Sequence, residues 1–285
     1  MIEQIQPGQP SGYALGHAED ELDRIINTGR FLGDLTEHVL RLAGLAPGMR
    51  VLDVGCGPGE VVFLAAKLVG PEGTVIGVDV SPEAIELARQ RTAAIGLTNV
   101  HFVTQDLAGS ELVLDEPVDA LIGRLVLQYF ADPAQVLRRL VPLVKPGGLV
   151  AFQEAEMKDG VYSEPVCPLY EEAVQRITQT FSHIGADPRT GQRLAQIFEE
   201  AGLPAPQMIL HARVERGPDS PVYHLAAQMT RVMLPLMERT GVATAEEVEV
   251  ETLAERIRAE AVALGATLVT PPFIGAWTRT PLTKQ

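Results

Sequence analysis

Cysteine is nearly absent from this chain of 285 residues: it occurs only as Cys56 and Cys167. Cys56 lies inside a glycine-rich loop, a poor place for a disulfide bridge. Long apolar runs are missing too. No stretch reaches the roughly 18 uncharged apolar residues of a membrane-spanning helix. The opening Met1, Ile2 and Glu3 lacks the basic-then-apolar start of a signal peptide. Basic residues are outnumbered, with 23 Lys and Arg against 37 Asp and Glu and a formal net charge of −14. No run of Lys and Arg is dense enough to form a basic groove, and a surface this acidic repels phosphate backbones and anionic membranes. These absences predict a cytoplasmic enzyme with neither nucleic acid nor membrane as partner. Repeats and low-complexity segments are also absent. The remaining composition, 46% hydrophobic and 21% charged, is that of an ordinary globular protein. Its length suits one large α/β domain with a helical elaboration.

From Arg50 onward, short apolar runs alternate with amphipathic helical patterns, the signature of βα units and a parallel sheet. RVLDVG (50–55), TVIGVD (74–79), VHFVTQD (100–106), PVDALIGR (117–124) and LVAFQEAE (149–156) read as five strands. Ser81 suits a helix cap, Pro82 the first turn and Gly96 the end of that helix. Asp132-Pro133 opens another helix, which KPGG (145–148) terminates. Beyond 156 the pattern changes. Residues 165–202 read as helical, QMILHARVE (207–215) as a strand, and about 220–264 as two further helices. TPPFIGAWTR (270–279) reads as a last strand whose paired prolines confine it to an edge or a late start. The expected division is an N-terminal helical segment at 1–45 covering the ligand site, then one domain at 46–285. Helical cap insertions are expected at about 160–190 and 217–265.

VLDVGCGPGE (51–60) is the most informative stretch. A strand ends at Asp53, and Gly55, Gly57 and Gly59 alternate before a helix starts near Glu60. Glycines let the backbone turn sharply and leave no Cβ between chain and ligand. The spacing is GxGxG, whereas a dinucleotide fingerprint needs GxGxxG, and position 60 is Glu. A pyrophosphate beside Glu60 would be repelled. S-adenosylmethionine carries no phosphate and a cationic amino-acid end, so an acidic neighbourhood suits it. A plain βα connection uses the same glycines, but Asp79, 22 residues beyond Gly57, can accept from both ribose hydroxyls while Ser81 caps the helix. Asp106 is placed to accept from an adenine amino group, with a solvated turn residue as the plainer alternative.

VLDVGCGPGE, GVDVSPEAIELAR, the Gln105-Asp106 pair and DALIGRLVLQYFADPAQVLRRLVPLVKPGGLVAFQE occur in order within roughly residues 35–156. The series resembles the successive motifs of the class I S-adenosylmethionine-dependent methyltransferases, above all the ubiquinone/menaquinone-type small-molecule group. The resemblance implies an α/β, Rossmann-like fold with a seven-stranded sheet of order 3-2-1-4-5-7-6, strand 7 antiparallel. It implies that Asp53, Gly55, Cys56, Gly57 and Gly59 surround the methionine part of the cofactor. Asp79 would hold the ribose, Asp106 would read the adenine, and Gly123 and Arg124 would line the methionine end, with Val80, Gln105 and Leu107 as further cofactor contacts. The N-terminal YALGHAEDE resembles a segment that folds Tyr13 over the cofactor.

Open α/β sheets bind ligands beyond the carboxyl ends of their strands. Strands four and five therefore point at the acceptor, with Arg124, Gln128, Tyr129, Gln153, Glu154 and Glu156 nearby. Glu154 and Glu156 alternate on a strand and so face one way. A carboxylate pair can bind a cation, act as base or hold a metal, but no His or Asp completes a metal set by spacing. No metal is expected, and one functional plus one solvated carboxylate is the plainer arrangement. His183, in TFSHIGADPRTG, and His224, in PVYHLAAQ, are further candidates, although a single His is more often structural. Leu225, Met229, Met233, Leu236 and Met237 form one helical stripe, core or subunit interface first and pocket lining second, so a homodimer stays open.

The reaction expected is transfer of the sulfonium methyl to an O, N or C atom of a small-molecule acceptor held in line with the S–CH3 bond. Glu154 and His183 are the candidate bases, and Gln128, Tyr129, Glu154, His224 and Met233 the candidate acceptor contacts. Three alternatives are an NAD-type oxidoreductase, a non-catalytic binder, and an enzyme that uses the bound sulfonium compound for rearrangement or cyclisation. The GxGxG spacing disfavours the first, and the intact loop with Asp79 the second.

Overall fold

The computed structural model describes residues 19–157 and 162–282. Tyr13 lies outside them. The five expected strands form as β1 (Arg50–Val54), β2 (Thr74–Asp79), β3 (Val100–Thr104), β4 (Val118–Arg124) and β5 (Val144–Ala155). β1, β2 and β4 are buried along most of their length, as parallel strands covered on both faces must be. Two later strands, β7 (Gln207–His211) and β10 (Phe273–Arg279), complete a seven-stranded sheet of order β3-β2-β1-β4-β5-β10-β7. Counted within this sheet alone, that is the expected 3-2-1-4-5-7-6. β10 runs antiparallel to both neighbours. It starts after Pro271 and Pro272 but is interior, not an edge strand.

Helices α2 (Gly33–Ala43), α3 (Glu60–Val69) and α4 (Pro82–Ala94) cover one face, where Val39, Val62 and Ile85 join a buried cluster. On the other face, α5 (Pro133–Leu140) and α7 (Thr190–Glu200) bring Leu137 and Phe198 against Leu121 and Phe152. Local signals behave as expected. The Ser81 hydroxyl accepts from Ala84 N–H at 3.0 Å, and the Asp132 carboxylate accepts from Gln135 N–H at 2.8 Å. KPGG differs: it already belongs to β5, bulging between the pairs Val118–Val144 and Ala120–Leu149.

A separate core stands outside the sheet. It joins α6 (Pro168–His183), α8 (Val222–Thr240) and α10 (Val250–Leu264) through Tyr170, Ile177, Met233, Met237 and Ile257. The four-residue α9 (Ala245–Val248) links the latter two, closed by a Thr244/Glu247 capping box. Glu260 on α10 fastens the start of α6, accepting from Leu169 N–H at 2.9 Å and from the Cys167 thiol at 3.1 Å. This cap carries a small antiparallel sheet of β6 (Tyr162–Glu164), β9 (Thr267–Val269) and β8 (Val214–Arg216) that the sequence pattern did not disclose. QMILHARVE is therefore two strands in two sheets. Arg213 makes the break: its Nε donates to the Phe31 carbonyl at 2.8 Å, its guanidinium pairs with Asp34, and its backbone joins Thr270.

The N-terminal helix α1 (Glu19–Phe31) lies between sheet domain and cap. Asn27 donates to Gln228 of α8 at 3.1 Å. On the α3 side the approach is so close that a Cβ at Gly29 would stand 2.7 Å from Glu60 Cβ and 3.1 Å from Arg124 Nη2. Helix propensity alone makes Gly29→Ala stabilising by about 1 kcal/mol. The contact predicts the reverse: a lower melting temperature and faster amide exchange in α1, measured by hydrogen exchange mass spectrometry.

Candidate active site

The loop after β1 owes its path to glycine. Gly55 and Gly57 have φ of 66° and 50°, and a Cβ on Gly55 would stand 2.8 Å from Val126 Cβ. The Asp79 carboxylate ties this loop to the next one. Its Oδ2 accepts from Gly57 N–H at 2.8 Å and its Oδ1 from Ser81 N–H at 2.9 Å. Two charge-assisted bonds leave the carboxylate one orientation. After β3, Gln105 N–H donates to the Asp79 carbonyl at 2.8 Å, and Asp106 Oδ1 accepts from Ala108 N–H at 2.8 Å.

These loops open on a cavity of about 370 Å³. That is within the roughly 300–1,000 Å³ of small-ligand sites. Of the expected cofactor residues, Gly55, Cys56, Gly57, Asp79, Val80, Gln105, Asp106, Leu107 and Arg124 line it. Asp53, Gly59 and Gly123 do not. Asp53 is buried beneath the loop with neither oxygen partnered among the described residues, and burial pushes its pKa well up against the pull of Arg124. Gly59 precedes α3 with φ 97°, and Gly123 admits Phe152, whose Cε1 would lie 2.6 Å from a Cβ. Both serve packing. Arg124 is held from the side, donating to Thr36 Oγ1 at 3.0 Å, with Gln153 Oε1 2.7 Å from that hydroxyl. Glu60 also faces the cavity, paired with Arg91, whose Nη1 donates to the Pro58 carbonyl at 2.6 Å.

Several wall residues escaped the sequence reading. Arg24, Ile25 and Thr28 project from α1, with Arg24 gripped by both Glu21 oxygens at 2.6 Å. Their i, i+1, i+4 spacing marks a helix face, but nothing in it says what that face covers. Phe181 and Ile184 come from the end of α6, and Ala155, Met157 and Phe273 from the ends of β5 and β10.

The acceptor candidates divide. Gln128 and Tyr129 line the cavity, whereas Glu154, His183, His224 and Met233 do not. Glu154 is fully buried, and its Oε1 accepts from Val126 N–H at 3.0 Å and Leu127 N–H at 2.9 Å. Glu156 is buried as well, so the expected solvated carboxylate is absent. His183 is exposed, its Nδ1 2.7 Å from the Gln179 carbonyl, and His224 is exposed on α8. Met233 and Met237 fill the cap core, which leaves that part of the stripe unavailable to a homodimer interface. Met229, one turn earlier, reaches the cavity instead.

Residues 45–202 match the protein family described as a methyltransferase domain. The chain belongs to that family. It is 33% identical to an arsenite methyltransferase of Halobacterium salinarum over 67% of this chain and 46% of the relative. It is 27% identical to a demethylmenaquinone methyltransferase of Geobacillus kaustophilus, over 65% of this chain and 82% of that one. The chain spans about half the length of the first curated relatives it matches. Among solved structures, the YcgJ protein of Bacillus subtilis shares the fold with a TM-score of 0.56 at 16% identity, over 86% of this chain and 97% of that one. The class I methyltransferase architecture implied by the motifs is thus present.

Burial gives the chain a pH signature at Glu154. Its pKa rises from 4.5 to about 7, since desolvation outweighs the N–H groups of Leu127, Val126 and Gln128. Between these values the folded chain keeps a proton that the unfolded chain releases, so stability falls as pH rises from about 4.5 to 7 and stays lower above. The difference corresponds to roughly 3 kcal/mol. Glu154→Gln keeps an acceptor oxygen and removes the titration. Urea denaturation should find this variant more stable than wild type at pH 8, with the gap shrinking toward pH 5. An unchanged gap at the two pH values would contradict the assignment.

Proposed function

We propose that this methyltransferase domain transfers a methyl group from S-adenosylmethionine to an uncharged, largely apolar small-molecule acceptor. The partition of charge around the cavity carries the reading. Its charged described residues are Arg24, Glu60, Asp79, Asp106 and Arg124, from α1, α3 and the ends of β2, β3 and β4. The end of β5, α6, α8 and the approach to β10 contribute Ala155, Met157, Phe181, Ile184, Met229 and Phe273, with no charge among the described residues. One half thus suits a polar zwitterionic cofactor and the other an apolar guest.

The residues fit that cofactor. The loop at Gly55 has no room for a Cβ, and the oriented Asp79 carboxylate keeps lone pairs for ribose hydroxyls. Asp106 suits an adenine amino group, and Glu60 and Arg124 offer opposite charges to an amino-acid end. Bound there, S-adenosylmethionine supplies a methyl group already electrophilic on sulfur. The chain's part is to hold the acceptor in line and limit water. No His lines the described wall, and burial pushes the Cys56 thiol well up, so it stays protonated. An acceptor hydroxyl would release its proton to water.

A metalloid acceptor, as in the arsenite methyltransferase relative, fits less well. Soft As(III) calls for several thiolates, and Cys167 is fully buried in the cap, leaving Cys56 alone on the wall. The lack of a nucleic-acid partner belongs to the same proposal and rests on the net charge. Among the described residues no helix is long and apolar enough to cross a membrane.

S-adenosylmethionine and S-adenosylhomocysteine should raise the thermal midpoint with concentration, while NAD and NADP should not. Asp79→Ala should weaken S-adenosylhomocysteine binding by at least about tenfold, since it removes a charged acceptor, and Asp79→Asn should fall between; calorimetry measures both. With tritiated methyl donor, label should pass to 2-naphthol but not to arsenite or phosphoethanolamine. The reverse pattern would overturn the acceptor class, and stabilisation by a nicotinamide dinucleotide alone would overturn the cofactor.

A further inference from the structure

Between β4 and α5 the backbone makes a wall of the cavity, with Leu125, Val126, Gln128, Tyr129 and Phe130 on its surface. This turn is strained at its start. Leu125 has φ 54°, a left-handed conformation unfavourable for a residue with a Cβ. The end of β5 holds it there. Leu125 N–H donates to the Gln153 carbonyl at 2.9 Å, and the next two N–H groups converge on Glu154 Oε1 at 3.0 and 2.9 Å. Residues Leu127–Tyr129 then wind into a 3-10 turn. Val126 in turn stops against Gly55, so the turn's position sets its distance from the glycine loop.

Glu154 cannot touch a ligand in this cavity. It is fully buried, it contributes nothing to the cavity wall, and its Oε2 has no partner among the described residues. Its polar contacts go to the turn. We infer that Glu154 is a positioning residue: it fixes the strained 125–130 turn, and with it the acceptor wall relative to the glycine loop. The expected role as base is thereby replaced. The effect on turnover rests on the methyl-transfer reading; the hold on the turn does not.

Two variants of the full chain separate reach from charge. Glu154→Gln keeps the length and an acceptor oxygen, and Glu154→Asp keeps the charge but withdraws the oxygen by one methylene. Three quantities are measured: amide exchange at Val126 and Leu127, S-adenosylhomocysteine affinity by calorimetry, and kcat and KM for 2-naphthol methylation. The Gln variant should exchange like wild type and retain kcat within roughly threefold. The Asp variant should exchange those two amides about tenfold faster. Its KM for 2-naphthol should rise, with S-adenosylhomocysteine affinity within roughly threefold of wild type. Loss of kcat in the Gln variant with KM and exchange unchanged would restore the base and overturn the inference, as would an Asp variant indistinguishable from wild type in exchange. If wild type neither binds S-adenosylhomocysteine nor methylates 2-naphthol, the methyl-transfer reading fails, while the exchange comparison still decides whether Glu154 holds the turn.

Discussion

The cavity depends on one carboxylate shared between two loops. Asp79 accepts from Gly57 and Ser81, so the turn after β1 and the turn after β2 meet at a single anion. Without it, the Gly57 amide would have to turn to solvent, while Gly55 and Cys56 would keep only their bonds to the Val78 carbonyl. The Gln105 amide joins the same strand end through the Asp79 carbonyl, which brings in the loop after β3. Three successive crossovers are thus registered at one residue before any ligand binds, and such preorganisation lowers the cost of binding.

The second organising feature is where charge is allowed. A negative chain could have spread its carboxylates around the cavity, yet those on the described wall, Glu60, Asp79 and Asp106, sit at the start of α3, at the end of β2 and after β3. There Glu60 meets Arg91, Arg24 meets Glu21, and Arg124 stands between Asp53 and Glu60. Buried charges are tolerated only when paired or hydrogen-bonded. Among the described residues the cap half has no such network on the cavity and uses Met229, Phe181 and Tyr129, whose rings and thioether accommodate varied apolar shapes.

Much of this was legible residue by residue. Asp79 stood out because Ser81 already supplied the cap, and it does line the cavity, although it also has a local task in accepting from Gly57 and Ser81. The sheet order followed from the motif series, and the methionine stripe divided as its period allowed, with Met233 inward and Met229 toward the cavity. Glu154 was misjudged for a definite reason. Alternation along β5 gives the face a side chain occupies but not the depth at which it stops, and a turn twenty-odd residues earlier in the chain had folded over it. The contributions of α1 were hidden likewise, because an amphipathic face on a short helix does not name its docking site. The second sheet escaped since its strands have three residues each, too few for a period.

The cap has a hydrophobic core of its own, distinct from the two cores that clamp the sheet. Substitutions in separate cores that share few partners tend to add independently. A lineage carrying this chain can therefore remodel Met229 to suit a new guest while the loops around Asp79 stay as they are, whereas Phe181, whose ring lies 6.4 Å from that of Tyr129, is tied to the 125–130 turn. Heritable variation is channelled to one side of the cavity, and novelty in what is modified need not erode the machinery that supplies the modifying group.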